Sequence, residues 1–182
     1  MKKAIIFLAE GFEEVEALTP ADVLRRAGIE VITVSISDTL QVTGARQITV
    51  TADACFNDIN YKSADILILP GGIPGATNLY NHAGLKNLIQ EFARENKWLA
   101  AICAAPMVLG ELELLKGKTV TCYPGFESHL KGANVTTKPV VTDENIITGK
   151  GVGAAMAFSL RLVEILTDKK TAEDLSEKMV VV

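Results

Sequence analysis

An open α/β sheet, mostly parallel and covered by helices on both faces, is the fold class this sequence predicts. Three observations predict it. Strand-length stretches such as "KAIIFL" (Lys3–Leu8) and "ADILIL" (64–69) carry the continuous apolar runs "AIIFL" and "ILIL", as strands buried on both faces must. Segments with helical apolar spacing alternate with them along the chain. Glycine-rich or small-residue turns follow several of the strands, where the chain must swing into a helix.

The elements follow in order. After Lys3–Leu8, residues 20–27 ("PADVLRRA") have helical spacing, with Gly28 as a stop. "EVITVS" (Glu30–Ser35) is the next strand, and residues 39–54 read as short strands turning at Gly44. "ADILILPGG" (64–72) is a strand followed by a glycine loop. Residues 85–95 are helical, with Leu85, Leu88, Ile89 and Phe92 on one stripe. "WLAAI" leads into Cys103 and a helix over 106–115; "KTVTCY" (118–123) is a strand. Residues 134–151 give two short strands joined near Asp143 and Glu144. A long helix covers 153–167 and a short one about 171–178. No repeat, linker or low-complexity tract divides the chain, so residues 1–182 read as a single domain.

Composition excludes several classes. The net charge is −4 and no Lys/Arg block appears, which argues against a nucleic-acid or anionic-membrane partner. No apolar run reaches membrane-spanning length. The lysines and apolar run of "MKKAIIFLA" begin like a signal peptide. However, Glu10, Glu13, Glu14 and Glu16 occupy the place of its apolar core and cleavage site. Cys55, Cys103 and Cys122 are odd in number and lack metal-type spacing, so neither a disulfide framework nor a metal site is expected. The compartment expected is a reducing cytoplasm.

Cys103 sits where the strand "WLAAI" meets a helix opening on Pro106. Small residues two before and two after it, Ala101 and Ala105, match the packing demands of a nucleophile elbow. Pro106 suits the first helical position because its missing N–H costs nothing there. The helix start is expected to favour the thiolate, the reactive form. His82 ("LYNHAG") and His129 ("GFESHL") both read as loop histidines rather than proton partners. The acidic run after the first strand leaves the same sheet edge as Cys103, and a glutamate there can share the thiol proton. Spacing does not choose among Glu13, Glu14 and Glu16. The "LPGG" loop completes the constellation: backbone N–H groups of Gly72 and Ala104 are positioned to cradle an oxyanion. Cys122 reads as a core residue of its strand.

Four motifs in order, "GFEEVEAL" with "PADVLRRAG", "LPGGIPGATNL", "AAICAAP" and "GKGVGAAMAFSLRLVEIL", resemble the ThiJ/PfpI superfamily over almost the whole chain. The nearest branch resembles that of the human parkinsonism-linked deglycase and the bacterial ThiJ/YajL proteins. The resemblance implies a flavodoxin-like three-layer sandwich that forms a homodimer and needs no cofactor. It makes Cys103 the reactive cysteine and selects Glu16 as its protonated partner. It assigns Gly72 and Ala104 to the oxyanion-binding amides, and Arg46 and Arg26 to the site at the dimer interface. The activities implied are glutathione-independent glyoxalase, deglycase, and redox-regulated chaperone or stress sensor through the Cys103 sulfinate. The substrate would be a small reactive carbonyl. Two positions depart from the pattern. The protease branch has a histidine directly after its nucleophile, where this chain has Ala104, which argues against peptidase or amidotransferase-like chemistry. Tyr123 stands where the human-like branch has a histidine, leaving proton transfer to Glu16. The terminal "KMVVV" is expected to dock on the sheet edge or on a partner.

Overall fold

The structure, a computed structural model, describes residues 1–181; Val182 lies outside the described residues. The strands are β1 (Lys3–Leu8), β2 (Glu30–Ser35), β3 (Gln41–Thr43), β4 (Thr49–Thr51), β5 (Ala54–Cys55), β6 (Ile66–Leu69), β7 (Trp98–Ile102), β8 (Thr119–Val120), β9 (Asn134–Val135), β10 (Val140–Asp143) and β11 (Ile146–Gly149). The helices are α1 (Glu14–Arg26), α2 (Gly75–Asn81), α3 (Ala83–Arg94), α4 (Pro106–Glu111), α5 (Ala155–Leu166) and α6 (Lys169–Lys178). Seven strands form the main sheet in the order β10-β11-β7-β6-β1-β2-β5, parallel throughout except for the β10–β11 pair.

Burial on both faces explains the continuous apolar strands. Ile5 and Phe7 of β1, Leu67 and Leu69 of β6, and Leu99 and Ala101 of β7 face one core, with residues of α2, α3 and α4. Their neighbours Ala4, Ile6, Leu8, Ile66, Ile68, Ala100 and Ile102 face the other, with α1, α5 and α6. The result is a three-layer α/β sandwich of the flavodoxin-like kind. The chain runs from β1 to β2 on one side and returns to β6 and β7 on the other. The strand order therefore switches direction beside β1, and the carboxyl ends of β1, β6 and β7 lie together there.

Gly28 ends α1 as expected: it takes φ +76°, and Gly28 and Ile29 donate back to the Arg25 and Leu24 carbonyls. The start of α1 differs from the expectation. The helix begins at Glu14 rather than Pro20, so the acidic run is its first turn. Pro20 has no N–H for the Glu16 carbonyl, yet burial of Ala17, Ala21, Val23 and Leu24 holds the helix through it. The helix after Cys103 is shorter than its periodicity suggests and ends at Glu111. There Gly110 lies against the His129 carbonyl with no room for a side chain, and Glu113 turns the chain at φ +60°. The strand expected over 118–123 is only Thr119–Val120, paired with β9 outside the main sheet. Cys122 is buried, and burial followed by the nearby Glu127 pushes its thiol up to about 11. Val180 is exposed rather than docked on a sheet edge. No helix among the described residues is long and apolar enough to cross a membrane.

Candidate active site

Three loops leaving β1, β6 and β7 meet at one edge of the sheet. Cys103 follows β7 with φ +66°, a left-handed conformation that a residue with a side chain rarely adopts. Neighbouring backbone holds it there: its N–H donates to the Gly149 carbonyl at 2.9 Å, and its carbonyl accepts from the Tyr123 N–H at 2.8 Å. Ala101 and Ala105 on either side are fully buried, which favours small side chains at the turn. This is the sharp strand-to-helix turn of a nucleophile elbow.

Helix α1 brings Glu16 beneath the thiol. The carboxyl is fully buried and its Oε2 accepts from the Gly71 N–H at 3.0 Å. Oε1 is buried without a well-aligned hydrogen-bond partner. The Cys103 thiol is close enough to couple with the carboxyl through hydrogen bonding and charge in both directions. Burial is the main cause that raises the Glu16 pKa to about 7. Burial, then the charge of Glu16 and the hydrogen bond to it, push the Cys103 thiol up to about 12. The amides of Ala104 and Gly72 act in the opposite direction on the sulfur. The expectation of a helix start that frees the thiolate is therefore corrected: burial outweighs it, and α4 is a short helix. Between these two values the pair holds one proton, which belongs to both groups. Moving it from sulfur to carboxyl removes the charge that holds the thiol up.

The other glutamates separate clearly. Glu14 is buried against Gly44, and its Oε1 accepts from the N–H groups of Arg46 and Ile48, at 2.7 and 3.4 Å, fastening the β3–β4 turn. Glu13 stands at the N-cap position of α1, makes no side-chain capping bond, and lines the cavity over Cys103. That cavity has a volume of about 320 Å³ and includes Gly72, Ala104, Arg46 and Tyr123. Of the residues expected at the site, two are absent from this lining: Glu16, fully buried beneath the thiol, and Arg26. Arg26 lies at the end of α1, about 18 Å along the helix from Glu14 at 1.5 Å per residue, and pairs with Asp22 at 2.6 Å. His82 caps α3 by accepting from the Leu85 N–H, and His129 pairs with Glu111. Neither imidazole lines the cavity. Cys55 ends β5, at the far edge of the sheet. The described residues contain no cluster of side chains suited to a metal ion.

Ala45, Ile73, Phe126 and Val152 join the lining without a signal in the sequence, and Gly71, in the "LPGG" loop, joins the site beneath it. A Cβ on Gly71 would come within 2.6 Å of Glu16 Oε2, 2.7 Å of Cys103 Cβ and 2.9 Å of the Ile102 carbonyl. Gly71→Ala is expected to lower stability by about 1–3 kcal/mol, as overpacking does, and to impair any reaction of the pair. Thermal unfolding and thiol alkylation rates check both.

Comparison with known proteins adds to this geometry. Residues 2–165 match the model of the DJ-1/PfpI family. The chain is 37% identical over 181 residues to Protein DJ-1 homolog B of Arabidopsis thaliana, covering 98% of this chain and 41% of that protein. It thus spans less than half the length of that relative. It is 31% identical over 179 residues to the Glutathione-independent glyoxalase DJ-1 of Schizosaccharomyces pombe, covering 93% of each. Among solved structures, oxidized Toxoplasma gondii DJ-1 superposes with a TM-score of 0.95 at 32% identity, covering 99% of this chain and 98% of that one.

Proposed function

The chain belongs to the DJ-1/PfpI family, and from that premise we propose that it converts reactive dicarbonyls such as methylglyoxal to hydroxy acids without glutathione. The observation that carries this is the fully buried Glu16 carboxyl within hydrogen-bonding reach of the Cys103 thiol, with the Gly72 and Ala104 amides at the sulfur. The thiol of Cys103 adds across the aldehyde to give a hemithioacetal. Glu16 removes the proton from the former aldehyde carbon, giving an enediolate, and returns it to the neighbouring carbon. The Gly72 and Ala104 amides hold the oxyanion as it develops. The lactoyl thioester that results is hydrolysed by water to lactate and free thiol. The first carbon is oxidised and the second reduced, so no cofactor is consumed. The same addition step supports deglycase action, in which the carbonyl arrives as an adduct. The relative from Schizosaccharomyces pombe, named a glutathione-independent glyoxalase, supports this reading. Lactate formation from methylglyoxal by the fully reduced protein, with glutathione absent, tests it.

A second reading has its own support, because one close structural neighbour was solved in an oxidized state. Peroxide would take Cys103 to a sulfenate and a second equivalent to a sulfinate. Protonated Glu16 and the two amides would hold the sulfinate oxygens, making the protein a stress sensor or chaperone. Mild peroxide followed by mass spectrometry is expected to oxidise Cys103 ahead of Cys55 and Cys122. Equal oxidation of all three counts against it.

The working form proposed is a homodimer in a reducing, cytoplasmic compartment. Val15 and Leu18 on α1 and Ile48 beside it are large apolar side chains left exposed, and Ile48 touches α1 through Glu14. In this arrangement Arg46 and Arg26 belong to the partner-facing side of the site. Light scattering at micromolar concentration is expected to give twice the chain mass; a monomer would remove Arg26 from the site altogether.

A further inference from the structure

The cavity over Cys103 is large and apolar for a three-carbon substrate. Its volume of about 320 Å³ is already at the lower end of sites that enclose whole drug-sized ligands, roughly 300–1,000 Å³. Ile73, Tyr123 and Val152 line its mouth while remaining 53%, 50% and 43% exposed. In the single chain three large apolar side chains stand exposed around one cavity, an arrangement that suits an apolar ligand. A second groove of about 450 Å³ continues beyond them, sharing Tyr123 and Val152 and adding Pro124, Pro139 and Ala154.

Tyr123 forms the wall common to both. Its N–H donates to the Cys103 carbonyl at 2.8 Å, which fixes its backbone beside the nucleophile. Its ring meets Phe126 edge-on, with centroids 6.4 Å apart and planes at 72°. Gly151 lies alongside, and a Cβ there would stand 3.3 Å from the Tyr123 ring, tighter than ordinary contact. A planar apolar group entering beside Cys103 therefore finds one aromatic ring at its side and a second behind it. Charge gives little competing guidance, since the first cavity is lined by one acidic and one basic side chain, Glu13 and Arg46, and the second by Lys150 alone among charged side chains.

We propose that the two spaces form one substrate site that selects dicarbonyls carrying a bulky apolar substituent on the ketone, an aryl group above all, over methylglyoxal. This deepens the glyoxalase reading and rests on it. The reaction is unchanged: an arylglyoxal plus water gives the aryl hydroxy acid, with oxidation at the aldehyde carbon and reduction at the ketone. Tyr123 and Val152 act as specificity-determining residues.

The test compares kcat/KM for phenylglyoxal and methylglyoxal in wild type, Tyr123→Ala and Val152→Ser. Using the ratio within each protein and comparing it between proteins cancels the intrinsic reactivity of the two aldehydes. Each buried methylene is worth roughly fourfold in binding, so the ratio is expected to fall by about tenfold in Tyr123→Ala and by less in Val152→Ser. The second substitution, at an exposed position, carries the test if the first variant does not fold. A ratio unchanged in the folded variants overturns the proposal. So does a wild-type preference for 4-carboxyphenylglyoxal over phenylglyoxal, which would assign selection to Arg46 and Lys150. Alkylation of Cys103 by N-phenylmaleimide and N-ethylmaleimide, each scaled to its rate with a small free thiol, reads the cavity without turnover. A phenyl preference that the variants lose, with no turnover of any dicarbonyl, upholds the apolar site and removes the glyoxalase reading. Methylglyoxal turnover with no phenyl preference does the reverse.

Discussion

Cys103→Ser is expected to lower methylglyoxal turnover by at least about a thousandfold, with the fold intact. The size of the effect follows from the site. The thiol of Cys103 is already pushed up to about 12 by burial and by Glu16, and becomes a nucleophile by passing its proton to that carboxyl. A serine hydroxyl starts several units higher and meets the same buried surroundings, so Glu16, with a pKa of about 7, cannot take its proton to any useful extent. The two amides of Gly72 and Ala104 remain and stabilise an oxyanion, but no covalent adduct forms for them to act on. Lactate measured over time, with the dicarbonyl in excess and circular dichroism as the fold control, reads the outcome. A serine variant that keeps wild-type turnover removes Cys103 from the reaction. A fully reduced wild type without turnover removes the glyoxalase reading and leaves peroxide chemistry at the same sulfur.

Much of this site is legible in the sequence because local packing demands leave marks. A strand buried on both faces has to be apolar along its buried length, and β6 and the five residues of β1 after Lys3 are. A tight turn at the nucleophile has to have small neighbours, and Ala101 and Ala105 meet that demand. The choice among the three glutamates is different in kind. It depends on where α1 begins, and Pro20 reads as a first helical residue when it is in fact internal. Once the helix starts at Glu14, its geometry turns Glu14 and Glu16 about 200° apart. One then faces the β3–β4 turn and the other the thiol. The length of α4 is illegible in the sequence for a related reason. "ELELL" keeps helical periodicity, while the helix stops at Glu111, beside a Gly110 packed on the distant His129 carbonyl and ahead of a left-handed Glu113. Phe126 and Val152 reach the cavity from loops that carry no periodic signal at all.

Glu16→Gln is expected to lose activity and gain stability, with the gain confined to neutral and alkaline pH. General acid–base groups contribute roughly a hundredfold to ten-thousandfold, and glutamine cannot take the proton from sulfur or carbon. Its side-chain oxygen still accepts from the Gly71 N–H, so the loop after β6 keeps its anchor. The stability effect follows from the raised pKa of Glu16, about 7 in the folded protein against the ordinary 4.5. Between those values the folded state binds more protons than the unfolded one, so wild-type stability falls as pH rises. The loss is complete above about pH 7 and amounts to about 3 kcal/mol for a shift of this size. Glutamine does not titrate, and any offset from its unpaired amide is the same at every pH. The difference in unfolding free energy between variant and wild type should therefore climb from pH 5 to pH 8 and then level. In wild type the same titration appears in catalysis with the opposite benefit. Below pH 7 both groups are protonated and the thiol has no acceptor, so kcat/KM should rise as pH increases through 7. Urea unfolding and initial rates across pH 5–9 test the two together, because one buried carboxyl accounts for both midpoints. A stability difference flat with pH would mean that Glu16 titrates near its ordinary value, and the shared proton on which the mechanism turns would be lost with it.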